Sequence, residues 1–245
     1  MTEDPRSRLF VISDIHGDLA GLETVLMDMY QDGMDLTRDR LVQLGDMIDG
    51  YAHSKEVVGL LRGMQEEYGR DHVIVLLGNH EDMLMRSVGK NDQKSDFVNW
   101  WYQGGANTFY SYEGDHSDET LPFMYTYADK DVESFIPQGQ MKDDISWFAT
   151  LPLYYETDDH IFVHAGLKEP LPPEGNKRWD MLWIREPFHD STYDWGKTVV
   201  YGHTAREYPL VEPNKMGLDT RWRGHGYVSG AEVMSRERYR FFDSR

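Results

Sequence analysis

Five short apolar runs in this chain each stop at a turn built from glycine, histidine and acid. Leu9–Ile12, Leu41–Leu44, Val73–Leu77, Ile161–Val163 and Thr198–Tyr201 lead to Asp14-Ile15-His16-Gly17, Gly45-Asp46-Met47-Ile48-Asp49-Gly50, Gly78-Asn79-His80-Glu81, His164-Ala165-Gly166 and Gly202-His203-Thr204. Runs this short, bounded by turn residues, read as strands. A strand that is apolar along its whole length is covered on both faces, as in a parallel sheet. Between the first three runs the spacing changes to that of a helix. Leu22, Val25, Leu26 and Met29 mark one over Leu19–Tyr30, with Asp18 as its N-cap, and Val57, Val58, Leu60, Leu61 and Met64 mark another over Ser54–Tyr68. The β-α-β-α-β order predicts α/β layering.

Residues 82–150 read as mostly helical and irregular. They carry the aromatics Trp100, Trp101, Tyr102, Phe109, Tyr110 and Tyr112, a Gly104-Gly105 break and a second aromatic stretch from Phe123 to Tyr127. These aromatics are expected to pack a helical cap onto the sheet. Leu153–Glu156 reads as a further strand, 168–178 as a loop, and Tyr227–Ser229, Ala231–Val233 and Tyr239–Phe242 as closing antiparallel strands. Nothing reads as a linker or a repeat, so residues 1–245 are expected to form one domain.

Charge narrows the partners. With 43 acidic and 25 basic residues the net charge is -18, which excludes nucleic acid and anionic membrane as expected partners, since both reward positive patches. No apolar run approaches the roughly 18 residues of a membrane helix. Met1–Arg8 lacks the apolar centre of a signal peptide, so a cytoplasmic protein is expected. Cysteine is absent, so any metal must be held by His, Asp, Glu or Asn.

In α/β sheets, function collects in the loops beyond the carboxyl ends of strands. Four of the ten histidines, His16, His80, His164 and His203, fall in the five turns. Each stands near a glycine or an acid. Imidazole mixed with Asp and Asn oxygen suits Mn²⁺, Fe or Zn²⁺. A pair of metals about 3.5–4 Å apart, as in phosphatases, needs a bridging carboxylate. Asp46 is the best candidate for the bridge, Asp14 and His16 for a share of one metal, and Asn79, His164 and His203 for the other.

Asp-x-His-Gly, Gly-Asp-x-x-Asp, Gly-Asn-His-Glu, His-Ala-Gly and Gly-His-Thr, in this order, resemble the phosphoprotein-phosphatase branch of the calcineurin-like metallophosphoesterases. Small bacterial and phage serine/threonine phosphatases and symmetrical diadenosine tetraphosphatases are the most similar. Leu182-Trp183-Ile184-Arg185-Glu186, Leu151-Pro152-Leu153-Tyr154 and Leu218-Asp219-Thr220 fit as well. The resemblance runs from about Phe10 to about Val233. It implies an α/β fold of two mixed β-sheets packed as a sandwich and flanked by α-helices. It places two divalent ions, Mn²⁺ first, on Asp14, His16, Asp46, Asn79, His164 and His203. His80 becomes the general acid, Asp49 its orienting partner and Arg185 a phosphate contact. Water activated by the metals then attacks phosphorus in line. The implied substrate is a phosphorylated protein, on serine or threonine, or a small phosphorylated molecule. The alternatives are hydrolysis of diadenosine tetraphosphate, or an inactive binding module on the same fold.

Three positions depart from the branch. Ser13 stands where glycine is usual, Gly50-Tyr51 where Arg-Gly is usual, and Arg221 follows Asp219-Thr220 where glycine is usual. The second removes one of two arginines expected to grip the phosphate. Arg221 and Arg223 are candidates to replace it, although as arginines they read first as exposed charges on a C-terminal strand or turn.

Overall fold

The computed structural model describes residues 7–88, 94–113, 136–221 and 226–245. The predicted aromatic stretch Phe123–Tyr127 and Arg223 lie outside the described residues.

The first half follows the predicted alternation: β1 (Leu9–Ile12), α1 (Leu19–Gln31), β2 (Arg40–Gln43), α2 (Ser54–Tyr68), β3 (Val73–Val75) and α3 (Asn79–Ser87). α1 begins where Asp18 accepts the Gly21 N–H at 2.9 Å, one of the donors that a helix start leaves without an internal partner. α4 (Lys94–Trp100), a kinked π-turn at Trp101–Gly105 and α5 (Ala106–Glu113) follow, then α6 (Gly139–Phe148). The second half contains β4 (Tyr154–Glu156), β5 (His160–Val163), α7 (Arg178–Trp183), α8 (Glu186–His189), β6 (Thr198–Tyr201), β7 (Leu210–Val211), β8 (Lys215–Gly217), β9 (Ser229–Ser235) and β10 (Arg238–Asp243).

Among the described residues ten strands form two mixed sheets of five, ordered β10-β9-β1-β2-β3 and β4-β5-β6-β8-β7. The central ladders β1–β2–β3 and β5–β6–β8 are parallel, and antiparallel strands complete each sheet. Two-residue periodicity distributes the apolar side chains. Leu9, Val11, Val42 and Ile74 meet Phe162, Val200 and Met216 between the sheets. Phe10, Ile12, Leu41, Val73 and Val75 face a larger cluster with α1, α2 and the cap helices. Ile161, Val163, Val199 and Tyr201 face Met181 of α7 and Phe188 of α8. Apolar packing on both sides of each sheet is why the strands carry uninterrupted apolar runs. The architecture is the sandwich that the motifs implied.

Several boundaries differ. The two short strands expected at 227–233 are one strand, β9, which pairs with both β1 and β10. β7 and β8 arise where the sequence carries no apolar run. Lys215 of β8 is buried, its ammonium capped by the carbonyls of Phe188, His189 and Ser191 at 3.0, 2.7 and 2.7 Å. These acceptors are the open end of α8, where a cation is favoured, and only the tertiary fold brings them to β8.

Candidate metal centre

All five polar turns follow strands of the parallel ladders, so they meet at one end of the sandwich. Backbone bonds lock them together. Ile15 and His16 N–H donate to the Asp46 carbonyl at 2.9 and 3.0 Å, and Gly202 N–H to the His164 carbonyl at 2.8 Å. His164 Nδ1 lies 2.9 Å from the Leu44 carbonyl and joins the two sheets. Gly45 and Gly78 touch so closely that a Cβ on Gly45 would lie 2.5 Å from the Gly78 nitrogen, which requires both to lack side chains.

The turns are conformationally costly. His16, Asp46, Asp49 and His203 have φ of 53, 54, 66 and 61°, in the left-handed region, where a residue other than glycine costs of the order of 1–3 kcal/mol. All four are residues singled out from the motifs. The strain persists because neighbouring turns hold them. Glu81, fully buried, is the main holder: it accepts the backbone N–H groups of Asp46 (3.0 Å), Met47 (2.8 Å), Ile48 (3.3 Å) and Gly78 (3.0 Å).

Asp46 lies at the centre. His164 Nε2 is 3.4 Å from Asp46 Oδ1, and His16 Nε2 and His80 Nε2 are 3.7 and 3.9 Å from Oδ2. Asn79 Oδ1 lies 2.7 Å from His164 Nε2 and 2.8 Å from His203 Nδ1. Asp14 is buried beneath His203, whose backbone N–H reaches its two oxygens at 3.0 and 3.2 Å. Ser13, at the first departure, donates its hydroxyl to Asp14 Oδ2 at 2.6 Å. Donor atoms of His16, Asp46 and His80 form one compact group, and those of Asp46, His164 and His203 a second. His16, Asp46, His164 and His203 fall within these groups, Asn79 joins the second through His164 and His203, and Asp14 adjoins it through the His203 backbone.

The protonation pattern fits a cation. Burial, aided by His80 and Arg221, lowers His16 well below its ordinary value, and burial lowers His164 and His203 too. All three are neutral. His16 Nδ1 faces the Ile48 and Asp49 carbonyls at 3.1 and 2.8 Å, and His164 Nδ1 faces that of Leu44, so these nitrogens carry the protons. The two Nε2 atoms are then left as acceptors beside opposite oxygens of Asp46, with His164 Nε2 also next to Asn79 Oδ1. Such an assembly of acceptors is satisfied by metal ions, and an imidazole N–H on a backbone carbonyl is the usual support of a ligating histidine. Burial, with Asp14 and Glu81 adding, pushes Asp46 well above the carboxylate range, and burial with Asp14 does the same to Asp219. Both shifts register negative charge with too little positive charge nearby.

His80 differs. Burial opposes its charge, but Asp46 and Asp49 outweigh that and raise it to about 9. Its Nδ1 lies 2.9 Å from Asp49 Oδ2. Asp49 is held in turn by residues read only as cap packing or not at all. The Trp100 indole N–H reaches its two oxygens at 3.1 and 3.0 Å, and the Thr108 hydroxyl donates to Oδ1 at 2.6 Å. The cap helices are thus wired to the dyad. Trp100, Thr108, Glu81 and Asp219 are site residues that the motif reading missed. Glu81 and Asp219 stood inside quoted motifs, but nothing local marked Trp100 or Thr108.

Arg185 is exposed beside the second group, its Nη1 3.2 Å from the hydroxyl of Thr204, the residue after His203. The reading of Arg221 as a surface charge is corrected. It is buried, bonded to Asp18 Oδ2 at 2.8 Å and the Ile15 carbonyl at 3.1 Å, with its guanidinium 4.3 Å over the Tyr51 ring. These partners satisfy it inside the protein and make it a clamp on the turn carrying His16. Gly50 has φ of +131°, and a Cβ there would lie 3.1 Å from His16, so the departed arginine has no relaxed place in this turn.

A mixed two-sheet sandwich with imidazole, carboxylate and amide donors gathered at the carboxyl ends of its strands is the build of a metal-dependent phosphoesterase. The chain belongs to the calcineurin-like phosphoesterase family, whose pattern matches residues 7–242. Among solved structures it is similar to one assigned provisionally as a diadenosine tetraphosphatase, with TM-score 0.63 and 20% identity over 99% of this chain and 96% of that one. It is also similar to a protein serine/threonine phosphatase from Saccharomyces cerevisiae, with TM-score 0.59 and 13% identity over 98% and 80%. A cold-active protein-tyrosine phosphatase from a psychrophilic Shewanella gives TM-score 0.55 and 16% identity over 96% and 80%. At these identities the likeness concerns the fold. Among the described residues no helix is long and apolar enough to cross a membrane.

Proposed function

We propose that this chain hydrolyses phosphoric monoesters with two divalent metal ions, Mn²⁺ the best match to its donors, which Asp46 and the donors around it would hold. The observation that carries the reading is the pair of imidazole Nε2 atoms beside opposite oxygens of Asp46, at 3.7 Å from His16 and 3.4 Å from His164. In this reading Asp14 and His16 would hold one ion and Asn79, His164 and His203 the other; His16 with Asp46, and Asp46 with His164 and His203, fall in the two compact donor groups. Ions held there supply Lewis-acid activation of water and of the phosphoryl oxygens.

The chain's own residues do the rest. His80 holds a proton on Nε2 for the leaving oxygen, while Asp49 fixes the ring through Nδ1. Trp100 and Thr108 fix Asp49. Arg185 stands at the rim, where its planar fork can bind two equatorial phosphoryl oxygens. One guanidinium beside a two-metal site suits a phosphomonoester, and phosphoserine or phosphothreonine in a protein is the first substrate class. A dinucleoside polyphosphate is the second reading, favoured by the stacked indoles of Trp183, beside His203, and Trp179, exposed beyond it.

The test is metal-dependent turnover of p-nitrophenyl phosphate together with elemental analysis. His80→Ala is expected to lower turnover of an alkyl phosphate, whose leaving oxygen needs the proton, by about 10²–10⁴-fold, the usual worth of a general acid, with metal content nearly unchanged. Loss of metal in proportion to activity would make His80 a ligand instead, a role its place beside His16 and Asp46 also permits.

A further inference from the structure

α7 carries Trp179 and Trp183 one helical turn apart, on the same face. Their rings stack with centroids 5.2 Å apart and planes 17° apart. Trp183 meets the imidazole of His203 edge-on at 6.0 Å. The three rings form a ladder from the candidate metal centre to the surface, where Trp179 is 58% exposed. A large aromatic so exposed beside a reactive centre is informative in a way that a lone surface leucine is not.

The surroundings indicate what it takes. The Arg86 guanidinium lies 6.0 Å from the Trp179 ring centroid. Arg178 bonds Asp82 Oδ1 at 2.9 and 2.7 Å, and Arg86 approaches Asp82 Oδ2 at 3.3 Å. These two cations share one carboxylate, and among the described residues Arg185 bonds the Thr204 hydroxyl at 3.2 Å. On a chain of net charge -18, three guanidinium groups gathered along an aromatic ladder mark a place for a ligand both anionic and flat. The outer ring stands two ring contacts from His203. An aromatic ring bonded directly to the phosphate would reach only the inner one, whereas a base carried beyond a ribose reaches Trp179.

We propose that Trp179 is a base-stacking subsite, with Arg86, Arg178 and Arg185 along the path of the phosphates, so that the site accepts a nucleoside polyphosphate. The proposal rests on the phosphoesterase reading above and extends it to a nucleotide ligand. Two inert competitors of p-nitrophenyl phosphate turnover test it: α,β-methylene adenosine diphosphate, and methylenediphosphonate, which lacks the nucleoside. Trp179→Ala is expected to raise the inhibition constant of the nucleotide about 5- to 150-fold, the range of one stacked base. The inhibition constant of methylenediphosphonate and p-nitrophenyl phosphate turnover are expected to stay within about twofold. Trp179→Phe, which keeps a ring, should recover most of the nucleotide's binding.

Equal weakening of both competitors overturns the proposal, as does a nucleotide that binds wild type no better than methylenediphosphonate. A Trp179→Ala effect confined to phosphopeptides with aromatic neighbours also overturns it, in favour of a peptide subsite. Wild-type turnover of p-nitrophenyl phosphate, read in the same assay, reports on the phosphoesterase reading separately. If turnover is robust and the nucleotide effect absent, only the subsite falls. If nucleotide binding measured by calorimetry depends on Trp179 while no ester is hydrolysed, only the hydrolase reading falls.

Discussion

Replacing Glu81 by glutamine changes one oxygen to an NH₂ group and leaves shape and volume almost unaltered, yet its effect should be large. The carboxylate is fully buried and is the acceptor for four backbone N–H groups, two on each oxygen: Met47 and Ile48 on Oε1, Asp46 and Gly78 on Oε2. Burial raises Glu81 to about 7, so at pH 8 the side chain is ionised and both oxygens accept. In glutamine one pair of N–H groups must face an amide donor. The milder choice gives up the Oε1 pair, where the Ile48 contact is already long at 3.3 Å. Stranding a buried donor costs about 1–3 kcal/mol, so the two together should cost about 2–6 kcal/mol. Urea unfolding of metal-free protein at pH 8 measures it. With a slope of about 2–3 kcal/mol/M the midpoint should fall by about 0.7–3 M at unchanged slope. Because the stranded groups belong to the turn carrying Asp46, metal affinity should fall as well. A Glu81→Gln midpoint within about 0.2 M of wild type would refute the claim that this carboxylate holds the strained turn together.

Trp100→Phe removes an N–H donor from Asp49 and should impair proton delivery by His80. Turnover of an alkyl phosphate, whose leaving oxygen needs the proton, is expected to drop about 10- to 100-fold, while p-nitrophenyl phosphate falls by less than about threefold; equal losses on both would reduce Trp100 to a packing role. His80 is raised above its unfolded value of about 6.5 to about 9, so in the metal-free protein its stabilising contribution is complete below pH 6.5 and disappears as pH rises through 9. The melting-temperature gap between wild type and His80→Gln should therefore be widest near pH 6 and close by pH 10, and a gap independent of pH would contradict the assignment. Asp46→Asn should lower bound metal from two equivalents to less than one in elemental analysis, and retention of both ions would remove Asp46 from the bridge. Chelation should lower the melting temperature of wild type, since free metal at about 100 times its Kd adds roughly 2.7 kcal/mol; no shift would show that the donors hold no ion.

Much of this protein is legible along the chain. β1, α1, α2 and β6 fall close to where periodicity puts them, because each buries an apolar face whose spacing is a local property of the sequence. The metal donors are legible for a related reason: each sits in a turn that its own glycines and strand position announce. Tertiary structure decided what depends on a partner distant in the chain. β8 forms around a buried lysine that the open end of α8 satisfies, and Arg221 is internal because Asp18 and the Ile15 carbonyl wait for it 203 and 206 residues away. Trp100 and Thr108 reach Asp49 across 51 and 59 residues. The sequence by itself determined the candidate donors that the turns carry. The fold determined their charge states and their supports, since desolvation and cross-chain hydrogen bonds exist only once the turns have been brought together.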